Sequence, residues 1–350
     1  MNKKRLTFNY IYIILTVLLI GWLLSTGIES GSVKELFSNM DYWWLAGGFA
    51  CIVMHWFMDS AIVYQIIPFI AREKVGFFRC VKYGIIGLYY GALTPFATGG
   101  QPAQIVYMKR DGIPVGKSTA IVSVKLFVHL LAMCFSFIMY MTLRGSSFYK
   151  NYHAIFFITI MGFFVNVFGV VFIFIVMTNK NKAVRIIKWV IMVLRKIRIV
   201  RDEERAYGKI EKVILDFSEA SGYIKTHRFR VFISFVLSFI KLSFMFAVPY
   251  MVFRAFSLDG YGLIDLASLN TFVFLTVSFM PTPGTSFAAE GGFRLVYFPI
   301  FGGFTNMAIA AWRIITYYLI LIVGALLVVF DQIIRIRKSK EDKKDQQVIQ

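Results

Sequence analysis

Apolar residues in this chain run rather than alternate. From about Asn9 to Thr26, Trp43 to Ile70, Thr119 to Leu143, Ala154 to Met177, Phe232 to Phe253 and Asn306 to Phe330 they form six nearly continuous stretches. Each is near or beyond the roughly 20 residues that an α-helix needs to cross a bilayer. A spanning β-strand would instead show about ten residues of alternating character. The pattern therefore predicts six full transmembrane helices in an all-α polytopic membrane protein.

Two further apolar stretches are interrupted. Tyr83 to Ala92 runs into Leu93-Thr-Pro-Phe-Ala-Thr-Gly-Gly-Gln-Pro102, and Leu269 to Phe279 runs into Met280-Pro-Thr-Pro-Gly-Thr-Ser-Phe-Ala-Ala-Glu-Gly-Gly292 before Phe293 to Phe301 resumes. Proline and glycine open the helical ladder, and the freed backbone groups survive at membrane depth only inside protein or beside a cavity. Each stretch is thus expected to form a re-entrant broken hairpin, over 83–102 and 266–300.

Basic residues orient the chain. Glu29 to Asp41 holds one, Lys34, while Arg72 to Lys82 holds four, which places the N-terminus and the second loop on the cytoplasmic side. Lys109, Arg110 and Lys117 after the first break return it to that side. The outer loop after Leu143 carries only Arg144 and Lys150, whereas Thr178 to Arg230 carries 14 Lys or Arg against 6 Asp or Glu and the tail from Asp331 carries six basic residues. The expected organisation is a first membrane half over 1–178, a cytoplasmic basic loop over 179–228, a second half over 229–330 and a cytoplasmic tail over 331–350. Both termini are then cytoplasmic. Within the loop, Ala183 to Val200 sets Val184, Ile187, Ile191 and Leu194 on one face, as an interfacial amphipathic helix or a linker helix does. The first break then enters from the cytoplasm and the second from outside. Interrupted segments at matching places in two halves point to an inverted-repeat transporter.

Composition agrees: of 350 residues, 58% are hydrophobic and 17% aromatic, with mean hydropathy +0.67, against roughly 45–50% apolar in soluble domains. The net charge of +19 fits anionic lipid headgroups at the cytoplasmic face better than nucleic acid. Cys51, Cys80 and Cys134 have neither disulfide nor metal spacing. Lys3-Lys4-Arg5 followed by Phe8 to Leu24 reads as a retained helix, since the apolar stretch is long and no small-x-small site follows. Gly112-Ile-Pro-Val-Gly-Lys-Ser118 has three residues between its glycines where a phosphate loop needs four. No nucleophile stands beside a base. Neither an enzyme, a cofactor nor a metal is expected.

Ionisable groups at membrane depth are functional candidates by default, because they cost several kcal/mol unless paired or wetted. Here they are His55, Asp59, Lys125, His129, Lys241, Glu290 and Arg313. His55 with Asp59, and Lys125 with His129, are four apart and share a helix face. Arg313 and Lys125 suit a lipid phosphate, and Glu290 and Asp59 a cationic headgroup or the balancing of those cations. The competing reading is permanent ion pairs that fix helix register, with satisfied interior histidines and Lys241 holding the bundle together. Glycines 99, 100, 284, 291 and 292 are backbone devices that let chain pass close to chain or ligand.

Thr94-Pro-x-x-x-Gly-Gly-Gln-Pro-x-Gln104 followed by Arg110-x-Gly112, then Pro281-Thr-Pro-Gly284 with Glu290, then Arg313-x-x-Thr-Tyr-Tyr318 with Gly324, together resemble the lysylphosphatidylglycerol synthase/flippase membrane-domain family. Its best-known member type is the multiple peptide resistance factor, tied to antimicrobial resistance. The resemblance covers about Asn9 to Phe330. It implies a flippase moving a phospholipid with a modified headgroup, such as a phosphatidylglycerol derivative, across a cell membrane. It adds Gly99, Gly100, Gln101, Gln104, Pro283, Gly284 and Tyr317 to Glu290, Arg313, Lys125 and Asp59 as substrate-binding candidates. Thr285 stands where the family would continue with glycine, and Lys125 and His129 where an acidic partner is expected nearby. Full-length members also carry a soluble aminoacyl-tRNA-dependent synthase domain. This chain reaches Gln350 without one, so that activity is not expected and a separate lipid-modifying enzyme would supply the substrate. Glycolipids and polyprenyl-phosphate-linked lipids fit the same cavity. A membrane transferase using a lipid-linked donor, with Glu290 or Asp59 as base, and a non-transporting regulator remain the other readings. Gly21, Gly47 and Gly48 serve internal packing or a homodimer equally well.

Overall fold

The computed structural model describes residues 40–178, 222–224, 226–277 and 286–348, with single positions at Arg185 and Met192 and side chains as far as Ile336. The expected span Asn9–Thr26, the amphipathic stretch Ala183–Val200 apart from those two positions, and the tip Met280–Thr285, with Pro283 and Gly284, lie outside these residues. Among the described residues every regular element is helical. In order they are α1 Tyr42–Ile70, α2 Phe77–Ala92, α3 Gly100–Arg110, α4 Val115–Asn151, α5 His153–Thr178, α6 Arg228–Ala255, α7 Leu263–Val277 and α8 Ser286–Phe301. A short 3-10 turn, Gly302–Phe304, leads to α9 Thr305–Arg313, a π-helical turn Ile314–Tyr318 and α10 Leu319–Val348.

Five helical runs are long and apolar enough to cross a membrane: Tyr42–Ile70, Val115–Asn151, Ile155–Met177, Arg228–Ala255 and Ala288–Ile336. They match five of the six expected spans. Two boundaries differ. α4 continues to Asn151, so Arg144 and Lys150 stand on a helix rather than in a loop. The extension buries Phe148, whose ring meets Phe272 at 4.3 Å. The last span does not begin afresh at Asn306, because α8 runs through the 3-10 turn into α9, which leaves one long helical run.

α1 and α6 lie antiparallel at the centre. At one end Asp41 caps α1 by accepting from the Trp43 N–H at 2.9 Å, and the Asp41 N–H donates to the Ala255 carbonyl at 2.8 Å. Arg144 meets Asp265 at 2.5 Å on this end, and the Tyr152 hydroxyl donates to the Val296 carbonyl at 2.7 Å. At the other end Lys117 donates to the Ala71 carbonyl at 3.0 Å, and Arg335 meets Asp111 at 2.6 Å.

Two helical hairpins open at these opposite ends. α2 and α3 start and finish together, with Lys82 Nζ 2.6 Å from Asp111 Oδ2. The return limb does not stop at Pro102, as the sequence suggested. Pro102 sits in the first turn of α3, where its missing N–H costs nothing, and the helix runs on to Arg110. The tip is closed by Thr94, whose hydroxyl donates to the Tyr90 carbonyl and accepts from the Gly99 N–H, both at 2.8 Å. Phe96 and Ala97 adopt left-handed φ of 53° and 54°, a strained conformation for residues with a side chain. α7 and α8 form the second hairpin, with the Tyr297 hydroxyl donating to the Leu266 carbonyl at 2.8 Å.

Candidate functional site

A cavity of about 400 Å³ lies where α1, α2, α3, α4, α6, α7 and the α9 end converge. That volume is in the range of small-ligand pockets. Its walls are mostly apolar, including Ile52, Trp56, Val122, Leu126, Val273 and Trp312, and its polar groups are few and grouped.

The first group centres on Asp59, in the middle of α1. Lys125 of α4 reaches its Oδ2 at 2.5 Å and Lys241 of α6 reaches its Oδ1 at 3.0 Å. The Asp59 side chain is 2% exposed, Lys241 5% and Lys125 12%. Room for the carboxylate comes from α2: a Cβ on Gly84 would lie 3.2 Å from Asp59 Oδ2. His55, one turn before Asp59, donates from Nδ1 to the Lys241 carbonyl at 2.9 Å, since a carbonyl only accepts. His129, one turn after Lys125, lines the cavity, and its Nδ1 is buried without a hydrogen-bond partner among the described residues.

The second group is Arg313 at the end of α9. Its Nε lies 3.3 Å from Glu290 Oε1 on α8, and the guanidinium stacks over Trp312 and Tyr317 at 4.9 and 5.3 Å from their ring centroids. Glu290 is the more open partner, 31% exposed against 6% for Arg313. The π turn that starts at Ile314 sets Thr316 and Tyr317 on the cavity wall next to Arg313. The Tyr317 hydroxyl donates to the Ala92 carbonyl at 3.1 Å, which fastens this wall to the tip of the first hairpin.

The third group comes from α3, whose Gly100, Gln101 and Gln104 line the cavity. The α2 and α3 backbones touch here. A Cβ on Gly100 would lie 2.5 Å from the Gly87 carbonyl oxygen, and one on Gly87 would lie 2.2 Å from Gln104 Nε2. Gln104 Nε2 donates to the Tyr83 carbonyl at 3.0 Å. Gly99 serves the turn rather than the wall, packed against Thr94.

Of the residues singled out from the sequence, Asp59, Lys125, Arg313, Gly100, Gln101, Gln104 and Tyr317 line one cavity, and Glu290 stands behind Arg313. Of the two roles considered for the carboxylates, the geometry shows the balancing one: Lys125 and Arg313 each meet a carboxylate, Asp59 of α1 and Glu290 of α8. Lys241, read as a bundle strut, shares Asp59 with Lys125. The acidic partner expected near Lys125 comes from 66 residues away, and that of Lys241 from 182 away. Asn270, Thr316 and the indole of Trp312 also line the cavity and were not among the candidates, which were chosen as ionisable groups at membrane depth or as motif residues of the resembled family. Asn270 was legible as the one amide in an apolar stretch. Trp312 gave no such signal.

Groups of three or more His, Cys, Asp or Glu able to hold a metal are absent among the described residues. What the arrangement offers is a polar pocket with paired charges, set in apolar walls and bordered by Ala97 at the tip of the first hairpin and by Val277 and Ala289 of the second.

Comparison with known proteins gives two findings. A UPF0104 membrane protein of Archaeoglobus fulgidus is 21% identical over 259 residues, covering 72% of this chain and 76% of that protein. The model of the family described as the lysylphosphatidylglycerol synthase TM region matches residues 10–324, nearly the whole chain. That family comprises membrane proteins related to lipid synthesis or flipping. The chain belongs to the lysylphosphatidylglycerol synthase transmembrane-region family.

Proposed function

We propose that this protein moves a lipid with a polar headgroup between the leaflets of a cell membrane, with both termini on the cytoplasmic side. The observation that carries this reading is the cavity of about 400 Å³ lined by Asp59, Lys125, Lys241 and Arg313, charged groups set at mid-helix in runs otherwise apolar enough to span. Such groups are costly in lipid, and in membrane proteins they mark pathways for polar cargo. A headgroup would sit in the cavity while the tails stay in the bilayer.

The two hairpins support the reading. They open at opposite ends of the bundle, and residues near both tips, Ala97 of one and Ala289 of the other, reach the same cavity. In our reading both are re-entrant, one entering from each side. Broken segments in matching halves around a midplane site are the architecture of alternating-access transporters. Strain at Phe96 and Ala97 belongs at a tip that must move.

The test is lipid translocation in proteoliposomes, with aminoacyl-phospholipid, glycolipid and polyprenyl-phosphate reporters. The protein should accelerate at least one class. Glu290→Gln and Arg313→Ala should each abolish that acceleration while insertion persists. No acceleration with any class, from protein that inserts correctly, sinks the proposal.

A further inference from the structure

We infer that the cavity selects a headgroup with one net negative charge, a phosphodiester without an ammonium group, and that Lys125 is the residue that receives it. This rests on the reading of the cavity as a headgroup pocket and names the chemistry it takes.

Charge leads to it. Lys125 and Lys241 share the single carboxylate of Asp59, one oxygen each. Arg313 is balanced by Glu290. Counting the lysines, the arginine and the two carboxylates, the described cavity wall with Glu290 behind it holds one positive charge more than negative. Neither Asn9–Thr26 nor the stretch 278–285 contains a charged residue. An uncompensated charge between apolar walls is unfavourable. One monoanion removes that cost.

Hydrogen bonding points the same way. Trp312 is 6% exposed and lines the cavity, and its indole Nε1 is buried with no partner among the described residues. An indole N–H can only donate. His129 Nδ1 is likewise without a partner. Two orphaned ring nitrogens in one wall, one of them strictly a donor, fit an acceptor-rich ligand such as a phosphate oxygen. An ammonium offers nothing to the indole, and it would meet two lysines as like charges while both oxygens of Asp59 are taken.

Lys125 rather than Lys241 is the contact. Lys241 is the more buried, and its backbone carbonyl is held by His55. Lys125 is the more open, and His129 stands one turn along its helix. It can turn from Asp59 toward a phosphate while Lys241 keeps the carboxylate neutralised.

The experiment is lipid retention by the purified protein, read by native mass spectrometry, with phosphatidylglycerol, phosphatidylcholine and phosphatidylethanolamine of the same acyl chains. Phosphatidylglycerol should be retained about tenfold over the two zwitterionic lipids, a difference of about 1.4 kcal/mol. Lys125→Gln, which leaves the Asp59–Lys241 pair intact, should erase that preference, and Lys125→Arg should keep it. Equal retention of all three by the wild type overturns the inference, even if Lys125→Gln does not fold. So does an unchanged preference in a folded Lys125→Gln. Thermal stabilisation by inorganic phosphate as large as that by phosphatidylglycerol would identify the ligand as free phosphate and overturn it too. Because retention needs no transport, a protein that prefers phosphatidylglycerol yet moves no lipid fails the transport reading alone. One that moves lipids irrespective of headgroup charge fails this inference alone.

Discussion

The two hairpins reach the same cavity but are held by different forces. α2–α3 is closed at its open end by ions: Asp111 accepts from Lys82 at 2.6 Å, Arg335 at 2.6 Å and the Tyr83 hydroxyl at 2.9 Å, and Asp331 joins through Lys82 and Arg335. In α7–α8 the Tyr297 hydroxyl of α8 bonds the Leu266 carbonyl of α7, and α8 itself is anchored by rings, with Phe293 stacked on Tyr297 of its own helix at 4.2 Å and on Trp312 of α9 at 4.9 Å. Ion pairs at a partly wet end respond to salt and acid. Stacked rings in a dry core respond to shape. The first hairpin is therefore the side whose closure solution conditions adjust, and the second is the fixed wall.

The largest expected effect tests the fixed wall. Phe293 is fully buried, so Phe293→Ala should lower the unfolding free energy in mixed micelles by about 3–5 kcal/mol. A loss below about 1 kcal/mol would mean that the stack does not hold α8.

Asp111 tests the adjustable side. Asp111→Asn should cost about 1.5–3 kcal/mol, the worth of hydrogen bonds to a charged group, and should loosen α2–α3 alone in hydrogen exchange. Burial by itself would raise its carboxyl, but the bonds from Lys82 and Arg335 outweigh that and hold it below the ordinary 3.8. A depressed carboxylate gives stability that is complete above its ordinary value and disappears as pH falls through the folded-state value. Acidification below about 4 should therefore release α2–α3 before α7–α8. Simultaneous release would erase the distinction.

Glycines give a finer contrast. Gly100→Ala puts a methyl 2.5 Å from the Gly87 oxygen and should cost about 1–3 kcal/mol through overpacking. Gly291→Ala on α8 meets nothing within 4 Å and should be neutral or stabilise by up to about 1 kcal/mol. Thermal unfolding of the two variants decides. Tyr297→Phe removes one buried bond between the limbs of the second hairpin and should cost about 1 kcal/mol. A loss as large as that of Phe293→Ala would show that this bond, rather than the stack, holds α8.

Much of this could be read from residues alone, for identifiable reasons. Five of the spans follow from apolar length, and the first break follows from Thr94–Pro102, because spanning segments must satisfy their backbones internally. The buried charges announced themselves by being out of place. Their partners did not, because the Asp59–Lys125 and Asp59–Lys241 contacts join separate helices, and a helical repeat reports only neighbours on its own face. The end of α4 was missed for a related reason. Arg144 and Lys150 look like loop residues until Phe148 is seen buried against Phe272.

The π turn at Ile314–Tyr318 bears on how relatives of this chain are aligned. A π turn is an α-helix with one residue spliced in, and each residue advances the helix by about 100°. Arg313 stands before the splice, and Ile320, beyond it, also lines the cavity. In a relative shorter by one residue here, every position after the splice is turned by about 100° relative to this chain. An alignment that runs through this point without a gap would then match residues that face different ways.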